Sequence, residues 1–573
     1  MKKYIYGILS LFPFIFLCYF AASRSVNIPY WDNWEFFSLL QGAYDGQLRL
    51  YDFWGQQNEH RVVFPWLLKF FTALITRWNI HYETALSVLL GTGIYALLAF
   101  QIGKLEIFNT SRRSVIYLAV SILVFSIAQA ESWLPGEQVQ TFLNIFSFSL
   151  GIFLLAASAD LSFKRYSAAL MCGAVANYSM GNGILFWPLS FLLLLERPLS
   201  YPRRKMMLKL WAIIAPLILG SYLFHYQSQP HHPALTFALR HPVESWRYFL
   251  TFLGSPLSLG TPEVAEKAGF FSLLLSVLTV YYGRKIFYKS TGMKLAVLPW
   301  FGLAIYSLSS ALLITFARVG FGVNQALSLR YIPFSNLLWI SLMVLTGNVL
   351  VCSPSPLPGI VRKISQSKVF HIACLIVFLL LTSGPACIGW DWGTRYAGLC
   401  RLASNYLLAD FYDDYFFKRY LYPADLHRQI TALKKLRLSL FHDAKFPVKL
   451  AGPVPVQSLP ASANDITYYI DKSADNGTSF FMRGWAAING EDSRQSVISI
   501  VLQSNATHYV IPTIPERRQD VTDWFHRIRN YDHSGFIVNI PKIGMQQGEY
   551  RVKIRIKKGR KEVMGSTPLK FRV

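Results

Sequence analysis

The sequence predicts a polytopic α-helical membrane protein carrying a C-terminal all-β sandwich. Three observations predict it. Apolar runs close to or above about 18 residues recur up to residue 390, the length a helix needs to cross a bilayer. Only 15% of the 573 residues are charged, while 53% are hydrophobic and 16% aromatic; soluble domains carry about 25% charged residues. After residue 390 the hydropathy falls, and beyond a Pro-rich stretch the pattern changes to short alternating strands. The corresponding domains are 1–390, a membrane region; 391–455, an amphipathic helical segment and linker; and 456–573, the sandwich.

The formal net charge of +25 could point to nucleic acid. Its placement argues against that partner, because the basic residues sit in short loops between apolar runs. They fall at 104–113, 164–165, 197–209, 284–294 and 362–368, the pattern of loops on the positive, cytoplasmic side. A short basic start, Lys2 and Lys3, precedes an apolar core at 5–22. This reads as a retained first span rather than a signal peptide, since no clear cleavage site follows. The N-terminus is then inside and 23–81 outside.

The next apolar run, 61–77, is placed on the outer surface as an interfacial helix, and its Pro65 and Lys69 fit that placement. Had it crossed, the loop with Lys104, Arg112 and Arg113 would lie outside. Full spans follow at 82–103, 114–131, 138–157, 208–226, 267–283, 295–316, 331–350 and 369–388. Between 165 and 203 the apolar stretch suits neither one span nor two, and "NYSMGNG" at 177–183 interrupts it. Two half-helices meeting at a Gly/Asn break satisfy it, and irregular backbone at that depth needs cover from protein or a cavity. The expected total is about eleven spans with the C-terminus outside.

Six cysteines are present. Cys387 and Cys400 stand close enough in sequence to form a disulfide outside; the others read as small buried hydrophobes. In the C-terminal third, 391–445 has charges at helical spacing and suggests two or three amphipathic helices. Strands are expected at ITYYI, SFFMRGWAAI, VISIVLQS, HYVIPTI, GFIVNI, YRVKIRI and LKFRV, enough for a small sandwich. Trp485, Tyr509 and Trp524 could stack on sugars or fill its core.

Chemistry is sought in the outer loops. "PYWDNWEFF" sets Asp32 and Glu35 among aromatics at the membrane exit; Asp-x-x-Glu is also a capping box. "NEHRVVFP" groups Glu59, His60 and Arg61, which also fit a helix start. "AESWLPGEQ" adds Glu131 and Glu137. Arg318 and Arg330 flank one outer loop, followed by Tyr331, and can neutralise a phosphate or anchor helix ends. Asn182 in the break is a candidate lipid-sugar contact. His231 and His232 could hold a divalent ion; no cofactor is otherwise indicated, and no C-x-x-C or His cluster suggests structural zinc.

The first span, the long outer loop opening on Asp32, the surface helix "NEHRVVFPWLL" and the following span onto a basic loop together resemble the GT-C superfamily of integral-membrane glycosyltransferases. The resemblance covers about residues 1–390. It is to the bacterial relatives of protein O-mannosyltransferases and lipid A aminoarabinose transferases. It implies a polyprenyl-phosphate-linked sugar donor, a periplasmic glycan or lipid acceptor, and residence in the bacterial inner membrane. It implies catalytic roles for Asp32 as general base, with Glu35 and Glu131 as further acids. Asn33 stands where the family often has a second, adjacent acid. Glu59, His60, Arg61, Asn182, Arg318, Arg330 and Tyr331 are the expected substrate contacts. A lipid-linked sugar flippase or transporter, or a polysaccharide polymerase, is the alternative.

Overall fold

The computed structural model describes residues 8–105, 107–156, 160–197, 199–227, 233–288, 290–352, 368–444, 455–456, 465–505 and 507–573. The chain divides into two compact units. The first comprises Met1–Ser25, Leu39–Thr76 and His81–Trp390; the second comprises Val26–Ser38, Arg77–Ile80 and Asp391–Val573.

Among the described residues eight helices are long and apolar enough to cross a membrane, and each contains or overlaps one of the eight full spans expected after residue 80. They are Ile80–Gly103, Arg112–Trp133, Gly136–Ala156, Pro202–Leu223, Pro262–Arg284, Thr291–Phe321, Leu329–Val351 and Ala373–Leu408. Among the described residues the N-terminal helix, Phe12–Arg24, is shorter. Inside the first unit, buried amides bond neighbouring side chains or backbone carbonyls, as a water-poor interior favours. Asn144 donates to the Ala176 carbonyl at 2.8 Å and accepts from the Tyr306 hydroxyl. Asn336 donates to the Leu123 carbonyl at 2.8 Å.

The interrupted stretch forms two short helices, Phe163–Asn177 and Phe186–Glu196, joined through a 3₁₀ turn at Gly181–Leu185. Gly183 makes that joint possible, since a Cβ there would stand 2.0 Å from the Ala176 carbonyl oxygen.

The run expected as an interfacial helix forms the helix Val63–Thr76, but its lysine is not placed as expected. Lys69 does not reach for solvent. Its ammonium lies 3.4 Å from the Glu83 carboxylate, with side chains 3% and 1% exposed. Glu83 starts the Ile80–Gly103 helix, and Gly136 packs directly upon it: a Cβ at Gly136 would fall 2.0 Å from Glu83 Oε2.

The helix Lys368–Leu408 begins in the first unit, and from Asp391 it continues in the second through part of the region where separate amphipathic helices were expected; Asp414–Tyr420 and His427–Lys435 follow. Cys387 is exposed, Cys400 is buried, and both are free; thirteen residues apart on one helix, they point to different faces. Most of the Pro-rich linker lies outside the described residues.

Strands form at all seven expected segments, one of which divides in two. Counting from the two-residue strands β1 (Gln56–Gln57), β2 (His60–Arg61) and β3 (Pro455–Val456), they are β4 (Ile466–Asp475), β5 (Ser479–Ile488), β6 (Val497–Gln503), β7 (His508–Pro512), β8 (Ile514–Glu516), β9 (Gly535–Pro541), β10 (Glu549–Lys558) and β11 (Lys561–Arg572). "HYVIPTI" is not one strand. It breaks at Thr513, so that β7 joins the sheet β11-β10-β6-β7-β3 and β8 the sheet β4-β5-β9-β8. The two antiparallel sheets share one core, as in a sandwich. Tyr550, Val552, Ile554 and Ile556 of β10 face Met482, Phe536, Val538 and their neighbours in it. Alternate β10 positions carry Arg551, Lys553, Arg555 and Lys557 away from that core.

β5 is apolar at nearly every position because both its faces are covered. Phe481 packs against Tyr415 and Tyr420, at 5.1 and 6.0 Å between ring centres. Buried Asp413 caps the 414–420 helix at the Phe416 N–H, 3.0 Å away, and also accepts from the Ser479 hydroxyl and from Asn539 Nδ2 at 2.8 Å.

Candidate functional site

The first unit draws most of the expected contact residues together. β1 and β2 form a tight hairpin, with Gln56 opposite Arg61 and Gln57 opposite His60. Asn58 supplies the positive φ, 49°, that such a turn demands. Glu59 on the turn reaches Arg318, Oε2 to guanidinium 2.7 Å, with both side chains about four-fifths buried.

His60 sits behind that pair. Its Nδ1 accepts the Gly181 N–H at 3.2 Å, which ties the hairpin to the helix break. A ring nitrogen that accepts cannot carry a proton, so the imidazole is neutral. Burial first, then the charges of Arg318 and Arg330, hold His60 below the usual imidazole range, against the raising effect of Glu59. Asn182, next to Gly181, is 5% exposed, and its amide Nδ2 has no hydrogen-bond partner within the protein.

Of Arg318 and Arg330, Arg330 is the more accessible, its side chain 40% exposed and Nε 4.0 Å from Glu131 Oε1. Glu131 also accepts from the Ser328 hydroxyl at 3.1 Å. Tyr331 turns inward, 5% exposed, and accepts from Gln325 Nε2 at 2.9 Å, while Gln325 accepts from the Tyr248 hydroxyl. Burial pushes the Tyr248 hydroxyl up, and both Arg318 and Arg330 pull it down. His60 and Tyr248 therefore feel the same two guanidiniums, so Arg318 and Arg330 share one neighbourhood. Beyond Arg318, a cleft of about 400 Å³ is lined by Phe237, Arg240, His241, Gly320 and Phe321, among others.

Arg61 has a different task from the one expected. Its guanidinium is 4% exposed and grips three backbone carbonyls, those of Tyr222 and Trp54 at 2.7 Å each and that of Phe224. It fastens the hairpin rather than facing a ligand. Gln325, Ser328 and Tyr248 were not picked from the sequence. Gln325 and Ser328 had a cue, since both lie in the loop between the two arginines.

Asp32 and Glu35 belong to the second unit. Asp32 directly precedes the helix Asn33–Tyr44, and its carbonyl accepts the Glu35 N–H at 3.1 Å. Both side chains are half-buried beside Tyr422, whose hydroxyl bonds Glu35. Burial, then the charges of Glu35 and Asp32, push that hydroxyl up. The surrounding aromatics divide by role. Trp34, Phe36 and Phe37 are buried, and the two phenylalanines pack on Trp78 at 5.8 and 5.6 Å. Trp31 is 42% exposed, at a positive φ of 48°, and its N–H donates to the Leu421 carbonyl at 2.9 Å.

Among the described residues no group of three or more His, Cys, Asp or Glu is placed to hold a metal ion; His231 and His232 lie outside them. Compared with known proteins, the chain matches no family model, no curated protein and no solved structure. The residues themselves carry the functional reading.

Proposed function

We propose that the chain is a membrane glycosyltransferase of the GT-C kind. It moves a sugar from a polyprenyl-phosphate-linked donor to a cell-envelope glycan or lipid at the outer face of a bacterial inner membrane. This reading keeps about eleven spans, the N-terminus in the cytoplasm and the β domain in the periplasm. The observation that supports it most is the pair Arg318 and Arg330 around neutral His60, each with a carboxylate partner, at the ends of membrane-length helices.

The chemistry follows from charge. A lipid phosphate leaves well once its negative charge is matched, and a guanidinium matches it with fixed donors. Arg330 is the donor-phosphate ligand, since its long contact to Glu131 exchanges readily for a phosphate oxygen. Arg318 adds field from behind, held by Glu59. Neutral His60 adds no charge, and its bond to Gly181 fixes the break at which the Asn182 amide stands ready for a sugar hydroxyl. In the transfer the acceptor oxygen bonds the anomeric carbon as the bond to phosphate oxygen breaks, the electron pair leaving with the phosphate. The acceptor proton goes to a carboxylate. That base is assigned to Asp32 on the family resemblance alone.

Incubating the purified chain with a panel of polyprenyl-phosphate sugars and a crude envelope acceptor, and following donor loss, tests the proposal. Asp32→Asn should abolish transfer and Arg330→Ala should raise the donor concentration required. No donor consumption across the panel, or unchanged turnover in Asp32→Asn, would count against it.

One observation favours a second reading, transport of a lipid-linked sugar. The buried Lys69–Glu83 pair is the kind of group transporters keep inside the membrane. Movement of labelled donor across proteoliposomes without bond cleavage would select it.

A further inference from the structure

The β domain ends in a tip, residues 519–530, that leaves two large apolar side chains in water: Trp524 is 79% exposed and Ile528 77%. Neither belongs to a loose end. Phe525, between them, packs on the small cluster of Trp485, Ala487, Val521 and Tyr531, at 5.8 Å from the Trp485 ring and 5.0 Å from that of Tyr531. The next two residues, His526 and Arg527, both take positive φ, 51° and 58°. Two consecutive left-handed residues without glycine are strained, and strain of this kind persists where surrounding structure holds it. Here the Arg527 N–H donates to the Thr522 carbonyl at 2.9 Å and the Ile528 N–H to Phe525 at 3.1 Å.

Charge accompanies the apolar pair. His526, Arg527 and Arg529 are exposed beside it. Arg527 is matched by Asp523 at 2.8 Å and Asp520 by Arg518 at 2.7 Å, so among the described residues Arg529 is the cation of this segment left without a carboxylate. A glycan platform needs an aromatic face ringed by hydrogen-bonding side chains, and a protruding isoleucine supplies neither. Indole, branched aliphatic and guanidinium together match the layers of a lipid surface: headgroup boundary, acyl edge and phosphate. A chain with eight membrane-length helices is never far from a bilayer.

We propose that the 519–530 tip is an anchor for anionic phospholipid, seating Trp524 and Ile528 at the acyl boundary with Arg529 and His526 at lipid phosphates. The proposal is independent of the transferase reading.

Hydrogen exchange of the full chain in nanodiscs tests it, comparing phosphatidylcholine alone with phosphatidylcholine plus phosphatidylglycerol. Amides of 519–530 should exchange at least about tenfold more slowly in the anionic discs. Trp524→Ser/Ile528→Ser and Arg529→Glu should each remove that protection while β5 and β10 stay protected, which shows the domain intact. Equal exchange in both discs, or protection that survives both variants, would overturn the proposal. So would protection that appears in neutral discs only when a soluble anionic oligosaccharide is added, which would assign the tip to glycan.

Discussion

Replacing Lys69 by methionine isolates the buried ion pair of the first unit. The two side chains are 3% and 1% exposed and 3.4 Å apart, so water screens them little. Methionine fills nearly the same volume, so the cavity contribution is small. What remains is a buried Glu83 carboxylate that has lost its ammonium, with Gly136 packed upon it. Breaking a buried pair from one side costs about 3–5 kcal/mol, a factor of more than a hundred in the folding equilibrium. Replacing both partners, Lys69→Met with Glu83→Gln, leaves no buried charge and should recover most of that loss. The assay is equilibrium unfolding of the purified full chain in mixed detergent micelles, with the four proteins of the double-mutant cycle compared. The expected result is a single variant much weaker than the double. If Lys69→Met alone costs less than about 1 kcal/mol, the lysine reaches solvent as an ordinary interfacial residue does and the burial reasoning fails. The same double variant separates the two functional readings: it should keep transferase turnover, and it should stop transport.

Other side chains make separate expectations. Arg330→Ala should weaken donor binding roughly tenfold or more with little change in stability, because its contact to Glu131 is long; Arg318→Ala should lose both, because it removes the short, mostly buried ion pair to Glu59, and a fluorescence titration with a thermal melt distinguishes them. His60 has a folded pKa below its unfolded value near 6.5, so the unfolded chain binds the proton first. Stability should therefore be full above about pH 6.5 and fall as the pH drops toward the folded value, and His60→Asn should flatten that slope in melts taken across the range. Arg61→Lys should cost about 2–4 kcal/mol in the same melts, because one ammonium cannot reproduce a planar fork across three carbonyls.

Much of the fold was legible because each part rests on a local pattern. Length and hydropathy mark the eight long helices, and period-two alternation marks the strands from Ile466 to Arg572. The split of "HYVIPTI" was not legible, since alternation continues through Thr513 and only the pairing of Ile514 with Ile537 shows the change of sheet. The candidate site was legible in its residue types and not in their duties. Glu59, His60 and Arg61 are consecutive, yet one faces an arginine, one accepts from a distant glycine, and one holds carbonyls from 54, 222 and 224. Those partners are up to 259 positions away. The aromatics near Asp32 and in the β domain divide the same way: Trp34, Trp485 and Tyr509 fill cores, while Trp31 and Trp524 stay exposed.

The buried pair explains why charge counting says little about interiors. The inside-positive rule responds to cations left unmatched at a membrane surface. Lys69 and Glu83 lie fourteen positions apart on different helices, and once paired they present no net charge to either side. Sequence spacing alone could not tell this lysine from an exposed one, because a neutralised lysine and an exposed one weigh alike when only spacing is counted. The same cancellation hides Glu59 with Arg318. Arg330 differs: its acid stands at 4.0 Å and two-fifths of its side chain meets solvent, so it keeps charge to offer. Among Arg61, Arg318 and Arg330, Arg61 is enclosed by backbone carbonyls and Arg318 is tied closely to its acid, so the exposed Arg330 is the one an anionic donor would meet first, and that ordering gives it priority as the phosphate ligand.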